Sequence, residues 1–277
     1  MEAGYREVSL ASWESSAAGW AYWSRRLSEA AREVTEWLVR KVDPQPSDTI
    51  LELAAGTGET GYHAAERKDV RLITTDFAEA MLDEARRRAE ELGIENAEFR
   101  VLDAEEMDLP DDSVDAVLCR YGYMLMADAT AALRETRRVL RPGGRVAFAT
   151  WGRPERNDWT MFARILVERG LLQRPQPGTP GILGLPEAAV VEPLLREAGF
   201  RGVEADVIDF VLDFPGFDGY WDFVMRGAGA VAPIFAAMSA DELADYQCEL
   251  AERVGPFLRP DGELALPAST LVVAATA

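Results

Sequence analysis

Three carboxylates each follow a short apolar run: Glu52 after Ile50 and Leu51, Asp76 after Val70 to Thr75, and Asp103 after the stretch 97–101. A carboxylate can accept two hydroxyl hydrogen bonds, so Asp76 suits the paired hydroxyls of a ribose. Asp103 suits an exocyclic amine, with the N–H groups of Ala104 and Glu105 reading a ring nitrogen. Just beyond Glu52 stands Gly56-Thr57-Gly58. Glycine adopts φ > 0 readily and has no Cβ, so this turn lets the backbone come close to a ligand. The helix that starts at Glu59 offers unpaired N–H groups beside it. A glycine turn after a first strand and an acid ending the second is the layout of a nucleotide-cofactor site. Each acid also has a plainer reading. Asp76 and Glu79 could form a reciprocal helix cap, and Asp103 could cap a turn. Their succession on strand ends favours the cofactor site.

The elements that must position these residues alternate. Strands are expected at 49–53, Val70 to Thr75, 97–101, Ser113 to Cys119 and Arg145 to Trp151. Helices are expected at 59–67, at Ala78 to Leu92 and at Ala129 to Leu140, the last capped by Asp128 and followed by an RPGG turn at 141–144. Strand–helix alternation implies a parallel sheet. Ahead of it, residues 9–23 predict a short helix with an aromatic face. Leu27, Ala31, Val34, Leu38 and Val42 predict a second helix ending before Pro44. Together they make a lid or simple packing. Past Trp151 the rhythm changes: helices at Asp158 to Gly170 and Glu187 to Ala198, a Pro/Gly-rich loop at Gln173 to Pro186, a strand at Val203 to Leu212, helix over 217–255, and a last strand at Leu264 to Ala275.

The chain has 277 residues and a hydrophobic fraction of 48%, enough for one large α/β domain with an appended lid. The net charge of −19 argues against nucleic acid and anionic membranes, which need basic patches. A small neutral or cationic ligand fits better. Cys119 and Cys248 sit in apolar patterns without metal-ligand spacing, so both are expected as buried thiols and no metal is expected. No signal segment or long apolar run is evident, and a cytoplasmic protein is expected.

Four segments carry a family resemblance: ILELAAGTG (50–58), ITTDFAEAML (73–82), VLDAEEMDLPDDSVDAVLCRYGYM (101–124) and LRETRRVLRPGGRVAFATW (133–151). Through them the chain resembles the class I S-adenosylmethionine-dependent methyltransferases, most closely the branch typified by ubiquinone/menaquinone-biosynthesis-like enzymes. One position departs from the family pattern: Ala54 stands where the first glycine of the turn is expected, which predicts a slightly altered turn that still binds.

The resemblance implies a Rossmann-like, seven-stranded, mostly parallel sheet whose last strand is antiparallel, with a helical lid. It divides the chain into an N-terminal lid (1–43), a cofactor-binding core (44–152) and a substrate-recognition region that completes the sheet (153–277). S-adenosyl-L-methionine is the implied cofactor. Glu52 and the backbone of Ala54, Gly56, Thr57 and Gly58 would hold its methionine end, and Asp76 its ribose. Phe77 and Met81 would flank the adenine, and Asp103, Ala104 and Glu105 would bind its edge. Arg120 and Tyr121 would stand beside the methyl. Tyr121 and Tyr123 are candidate orienters or bases, or only walls of the pocket. His63 reads as structural. Trp13, Trp20, Trp23, Trp151, Trp159, Trp221, Phe223 and Met225 offer surface for a small hydrophobic or aromatic acceptor, or are core. The reading is methyl transfer by a monomer or homodimer. A SAM-binding protein that does not methylate is the alternative.

Overall fold

A computed structural model describes residues 2–67, 69–174, 176–227 and 231–277. Five strands run parallel: β1 (Thr49–Glu52), β2 (Arg71–Asp76), β3 (Ala97–Val101), β4 (Val114–Arg120) and β5 (Leu140–Trp151). β6 (Arg201–Phe214) and β7 (Leu264–Thr276) complete the sheet in the order β3-β2-β1-β4-β5-β7-β6. β7 is antiparallel to both neighbours, as expected of the last strand. The strand order reverses between β1 and β4, and in open α/β sheets the crevice at such a reversal, beyond the carboxyl ends, is where ligands bind.

β1, β2, β4, the second half of β5 and most of β7 are buried on both faces, which explains their continuous apolar runs, whereas the edge strands β3 and β6 are more exposed. On one face Ile50, Leu72, Leu118 and Val272 pack under α2 (Arg32–Val42) and α3 (Glu59–Arg67). On the other, Leu51, Val117, Phe148 and Val273 pack under α5 (Ala129–Val139) and α7 (Ala188–Glu197). α4 (Glu79–Leu92) ends on Gly93 at φ +70, a left-handed stop that glycine accommodates without strain. A separate cluster around Phe214, Tyr220 and Tyr246 joins α6 (Met161–Glu168), α8 (Gly216–Gly227), α9 (Ala232–Ala237) and α10 (Ala240–Val254).

The N-terminus differs from expectation. α1 is one helix, Glu2–Ala30, and takes in Leu27; only Ala31 separates it from α2. α1 passes over α4 and α8 and spans the strand ends. Gly19 permits its closest approach to α8, because a Cβ there would lie 2.7 Å from the Arg226 carbonyl. RPGG at 141–144 lies inside β5. Val114 pairs with Leu140 and Ala116 with Arg145, so the turn bulges out of a single strand. The helix expected over 217–255 is three helices; residues 228–230 of that stretch, like Pro175 of the expected loop, lie outside the described residues. The capping box of Ser239 and Glu242 starts α10. Cys119 is buried as expected, but Cys248 is exposed, because it faces outward from α10. Among the described residues, no helix is long and apolar enough to cross a membrane.

Candidate functional site

β1 ends in Glu52 because Leu53 leaves the strand into the glycine turn. Ala54 (φ +49), Gly56 (φ +56) and Gly58 (φ +82) are all left-handed. The backbone from Ala54 to Thr57 is partly exposed while its flanks are buried. The alanine thus keeps the backbone shape a glycine would give. Its methyl has room because residue 122 is glycine: a Cβ there would lie 2.7 Å from the Cβ of Ala54. Gly58 lets the buried ring of Tyr62 pack beneath the turn, where its hydroxyl donates to the Ala85 carbonyl at 2.7 Å.

Glu52 is 2% exposed. One carboxylate oxygen accepts from the Gly61 N–H at 2.8 Å, and the other has no hydrogen-bond partner among the described residues. Burial raises its pKa to about 7, against the opposing pull of the Gly61 N–H and the Arg120 guanidinium. Asp76 closes β2 and brackets the turn. Its two oxygens accept from the N–H groups of Ala78 and Gly56, each at 3.0 Å. Burial nevertheless lifts its pKa to about 6. A carboxylate has roughly four acceptor positions, so each oxygen retains capacity for a further donor.

The reciprocal cap between Asp76 and Glu79 is not formed. Glu14 of α1 caps α4 instead, its carboxylate accepting from the N–H groups of Glu79 (2.7 Å) and Ala80 (3.2 Å). Negative charge at a helix start is favourable. α1 also packs Trp13, Ala17 and Trp20 against Phe77, Ala78 and Met81. At the β3 end, Asp103 accepts from the Glu105 N–H at 2.8 Å and pairs with Arg6 of α1. Glu105 accepts from the Ala127 N–H at 2.8 Å, and Ala104 is buried. Tyr5 donates to the Leu125 carbonyl at 3.1 Å.

Arg120 ends β4. Tyr121 follows at φ +64, a strained conformation for a bulky residue. Its ring stacks on Trp151 of β5 at 4.2 Å and 7°, and its hydroxyl meets that of Thr270 at 2.8 Å. Burial pushes its pKa up to about 12. Tyr123 is fully buried in the core, its hydroxyl 2.6 Å from Thr136 and its pKa raised well above the usual value. The structure therefore removes Tyr123 from the candidate bases: the left-handed turn at Tyr121 points it inward. Tyr123→Phe should cost about 1 kcal/mol of stability and leave activity unchanged. A large loss of turnover with cofactor binding intact would reinstate it.

Trp151 touches Trp159 (4.6 Å), Trp159 touches Phe223 (6.2 Å), and Phe223 touches Trp20 and Trp23 of α1. These aromatics form one continuous chain of ring contacts, in which Trp23, Trp159 and Phe223 are buried in the core and Trp20 and Trp151 are partly exposed. Trp221 is not part of it and packs on Phe235 and Tyr246; Met225 is exposed on α8. His63 lies half-buried on α3.

Asn157, which sequence patterns do not mark, holds that chain of rings. It is fully buried. Its amide nitrogen lies within 3.1 Å of the carbonyls of Gly152, Arg153 and Ser269. Its oxygen accepts from the Ser269 N–H and the Trp159 indole. The only available signal was an asparagine in an otherwise charged turn, NDW, just after a strand. Asn157→Ala should lose about 3 kcal/mol in urea unfolding, because several buried polar groups are left unpaired. A loss below about 1 kcal/mol would mean the network is not holding the rings.

The comparisons with known proteins follow this geometry. A family model described as a methyltransferase domain matches residues 50–144, from β1 to the bulge in β5. The ubiquinone/menaquinone biosynthesis C-methyltransferase UbiE of Acidiphilium cryptum is 33% identical over 176 residues, covering 60% of this chain and 71% of that protein. The chain belongs to the class I methyltransferases, in the UbiE-like branch. Its cofactor is S-adenosyl-L-methionine. Solved structures agree on this methyltransferase's fold. YcgJ of Bacillus subtilis superposes with a TM-score of 0.59 at 19% identity, over 88% of this chain and 98% of that one. Phosphoethanolamine N-methyltransferase 2 of Haemonchus contortus, solved with phosphomonomethylethanolamine and S-adenosylhomocysteine, superposes with a TM-score of 0.55 at 16% identity, over 88% of this chain and 52% of that one.

The methyltransferase's own residues fit that cofactor. The turn is left-handed and partly exposed, the Asp76 carboxylate retains acceptor capacity, and the apolar Phe77 and Met81 lie next to it, packed under Trp13 and Trp20 of α1. Among the described residues there is no cluster of three or more acids, histidines or cysteines that could hold a metal.

Proposed function

We propose that this methyltransferase acts on a small, largely hydrophobic or aromatic acceptor by in-line displacement. The observation that carries the proposal is the coplanar Tyr121–Trp151 pair at the ends of β4 and β5. It gives a flat apolar platform next to Arg120, backed by the buried Trp159 and Phe223. Apolar walls with few polar groups suit such acceptors.

In this reading Glu52 and the Ala54–Gly58 backbone hold the methionine end of the cofactor and Asp76 the ribose. Phe77 and Met81 flank the adenine, whose edge meets Asp103, Ala104 and Glu105. Residues 1–43 act as a lid, 44–152 as the cofactor core and 153–277 as the acceptor side. α1 supports the lid assignment, because it is fastened along its length, among other contacts by Arg6 to Asp103, Glu14 to the start of α4, and Trp23 to Asp222 of α8 at 3.1 Å.

The cofactor supplies a methyl group already activated on a sulfonium, so alignment and water exclusion carry most of the rate. The platform and lid orient the acceptor and exclude water. Tyr121, neutral up to about pH 12, orients and does not take a proton. The acceptor atom must therefore be nucleophilic without a tyrosine base. The name of the UbiE relative supports an electron-rich ring as one such acceptor. The test is S-adenosylhomocysteine formation across hydroquinones, phenols, thiols and alkylamines. Turnover is expected with apolar aromatic acceptors. Tight cofactor binding without turnover on any of them would sink the proposal.

A further inference from the structure

Arg120 is an anomaly in this protein. There are 48 acidic against 29 basic side chains, and arginines across the surface pair with the excess acids. Arg120 is half-buried at the end of β4, and among the described residues no carboxylate pairs with it. Its recorded contacts are the Ser28 hydroxyl of α1 at 3.1 Å and the Tyr121 ring, whose centroid is 5.8 Å from the guanidinium carbon. Glu52 sits at the end of the neighbouring strand and its charge and that of Arg120 attract each other, but the two form no ion pair, and one carboxylate oxygen accepts from the Gly61 N–H.

Withdrawing a guanidinium from water without a directly paired carboxylate is costly, and its planar fork matches oxyanions in particular. Ser28 accepts from Arg120 and has its own O–H proton to donate to an oxyanion held there. Tyr121, held left-handed, places its ring beside the guanidinium.

We infer that Arg120, with Ser28 presented by α1, is the receptor for an oxyanion at the transfer site. The oxyanion is either the amino-acid carboxylate of the cofactor or an acid group on the acceptor. The inference rests on the cofactor site proposed above. It also makes α1 more than a cover, because closing the helix completes the receptor.

The test is calorimetry on the intact wild-type chain and on Arg120→Gln, Arg120→Lys and Ser28→Ala. The ligands are S-adenosylhomocysteine and methylthioadenosine, which keeps the nucleoside and sulfur but lacks the amino acid, and then benzoate added to the S-adenosylhomocysteine complex. If the cofactor carboxylate is the ligand, Arg120→Gln weakens S-adenosylhomocysteine about tenfold or more and Ser28→Ala about threefold. Methylthioadenosine then holds within about twofold, and Arg120→Lys falls in between. A loss confined to benzoate assigns the receptor to the acceptor. Equal affinities in wild type and Arg120→Gln for all three ligands overturn the inference, as does a uniform loss that includes methylthioadenosine, which would leave Arg120 only balancing the charge of Glu52. Wild type that binds neither nucleoside overturns the cofactor site itself.

Discussion

Asp76→Ala should reduce S-adenosyl-L-methionine affinity by roughly a hundredfold or more while leaving a folded protein. Two losses combine. The proposed contacts to the ribose hydroxyls disappear, and hydrogen bonds to a charged group are worth about 1.5–3 kcal/mol each. The Gly56 and Ala78 N–H groups also lose the acceptor that ties the glycine turn to the start of α4. The effect on stability should be much smaller, because removing Asp76 also removes a carboxylate whose ionised form is held at a cost by burial, as its pKa near 6 indicates. Asp76→Asn should recover little affinity, since the Gly56 and Ala78 N–H groups bond to different oxygens and an amide replaces one of them with an NH₂ donor. Calorimetric titration of the three proteins measures this. Affinities in Asp76→Ala within a few-fold of wild type would remove the carboxylate from the cofactor site.

The glycine turn and the strands that flank it were legible in the sequence because their determinants are local. Gly56 and Gly58 report a backbone conformation, and apolar runs of five or six residues report buried strands. The departure at Ala54 was visible, but its compensation at Gly122 was not, because the two meet only when β1 and β4 lie side by side. The start of α4 shows the same limit. Asp76 and Glu79 have capping-box spacing, yet the carboxylate that caps the helix belongs to Glu14, 65 residues earlier in the chain. No local pattern reports it.

The proposed acceptor side was less legible. Tyr121 and Tyr123 are separated by a single glycine and read alike in the sequence. The left-handed φ at Tyr121 breaks the alternation of the strand, so one ring joins the platform and the other the core. Asn157 was invisible because its five partners come from β7, the end of β5 and the turn itself. RPGG read as a turn and is one, but the pairing of Leu140 with Val114 keeps it within β5. Composition identified the aromatics without distinguishing Trp151, on the platform, from Trp221, in the outer helical cluster.

Glu52→Gln should make the cofactor-free protein more stable at pH 8 and no more stable at pH 5. Glutamate in an unfolded chain titrates near 4.5, whereas burial holds Glu52 near 7 in the folded one. Between those values the folded state binds more protons than the unfolded state, so stability falls as pH rises through the window and the penalty is complete above pH 7. Taken at face value, the shift corresponds to about 3 kcal/mol. Glutamine keeps an acceptor for the Gly61 N–H but places an amide nitrogen where the second oxygen has no partner among the described residues, which returns part of that gain. The expected net gain is about 1–2 kcal/mol at pH 8, or roughly 3–6 °C in Tm for a chain of this size. At pH 5 wild-type Glu52 is already neutral and the difference should vanish. Thermal unfolding of both proteins at the two pH values measures it. An equal gain at both would assign the effect to packing, and a loss at pH 8 would mean that the carboxylate is not penalised by its burial. At pH 8 the same variant should bind S-adenosyl-L-methionine more weakly, because a buried carboxylate that costs stability is retained where a ligand repays it. A variant that gained both stability and affinity would place the function of Glu52 in the architecture of the turn alone.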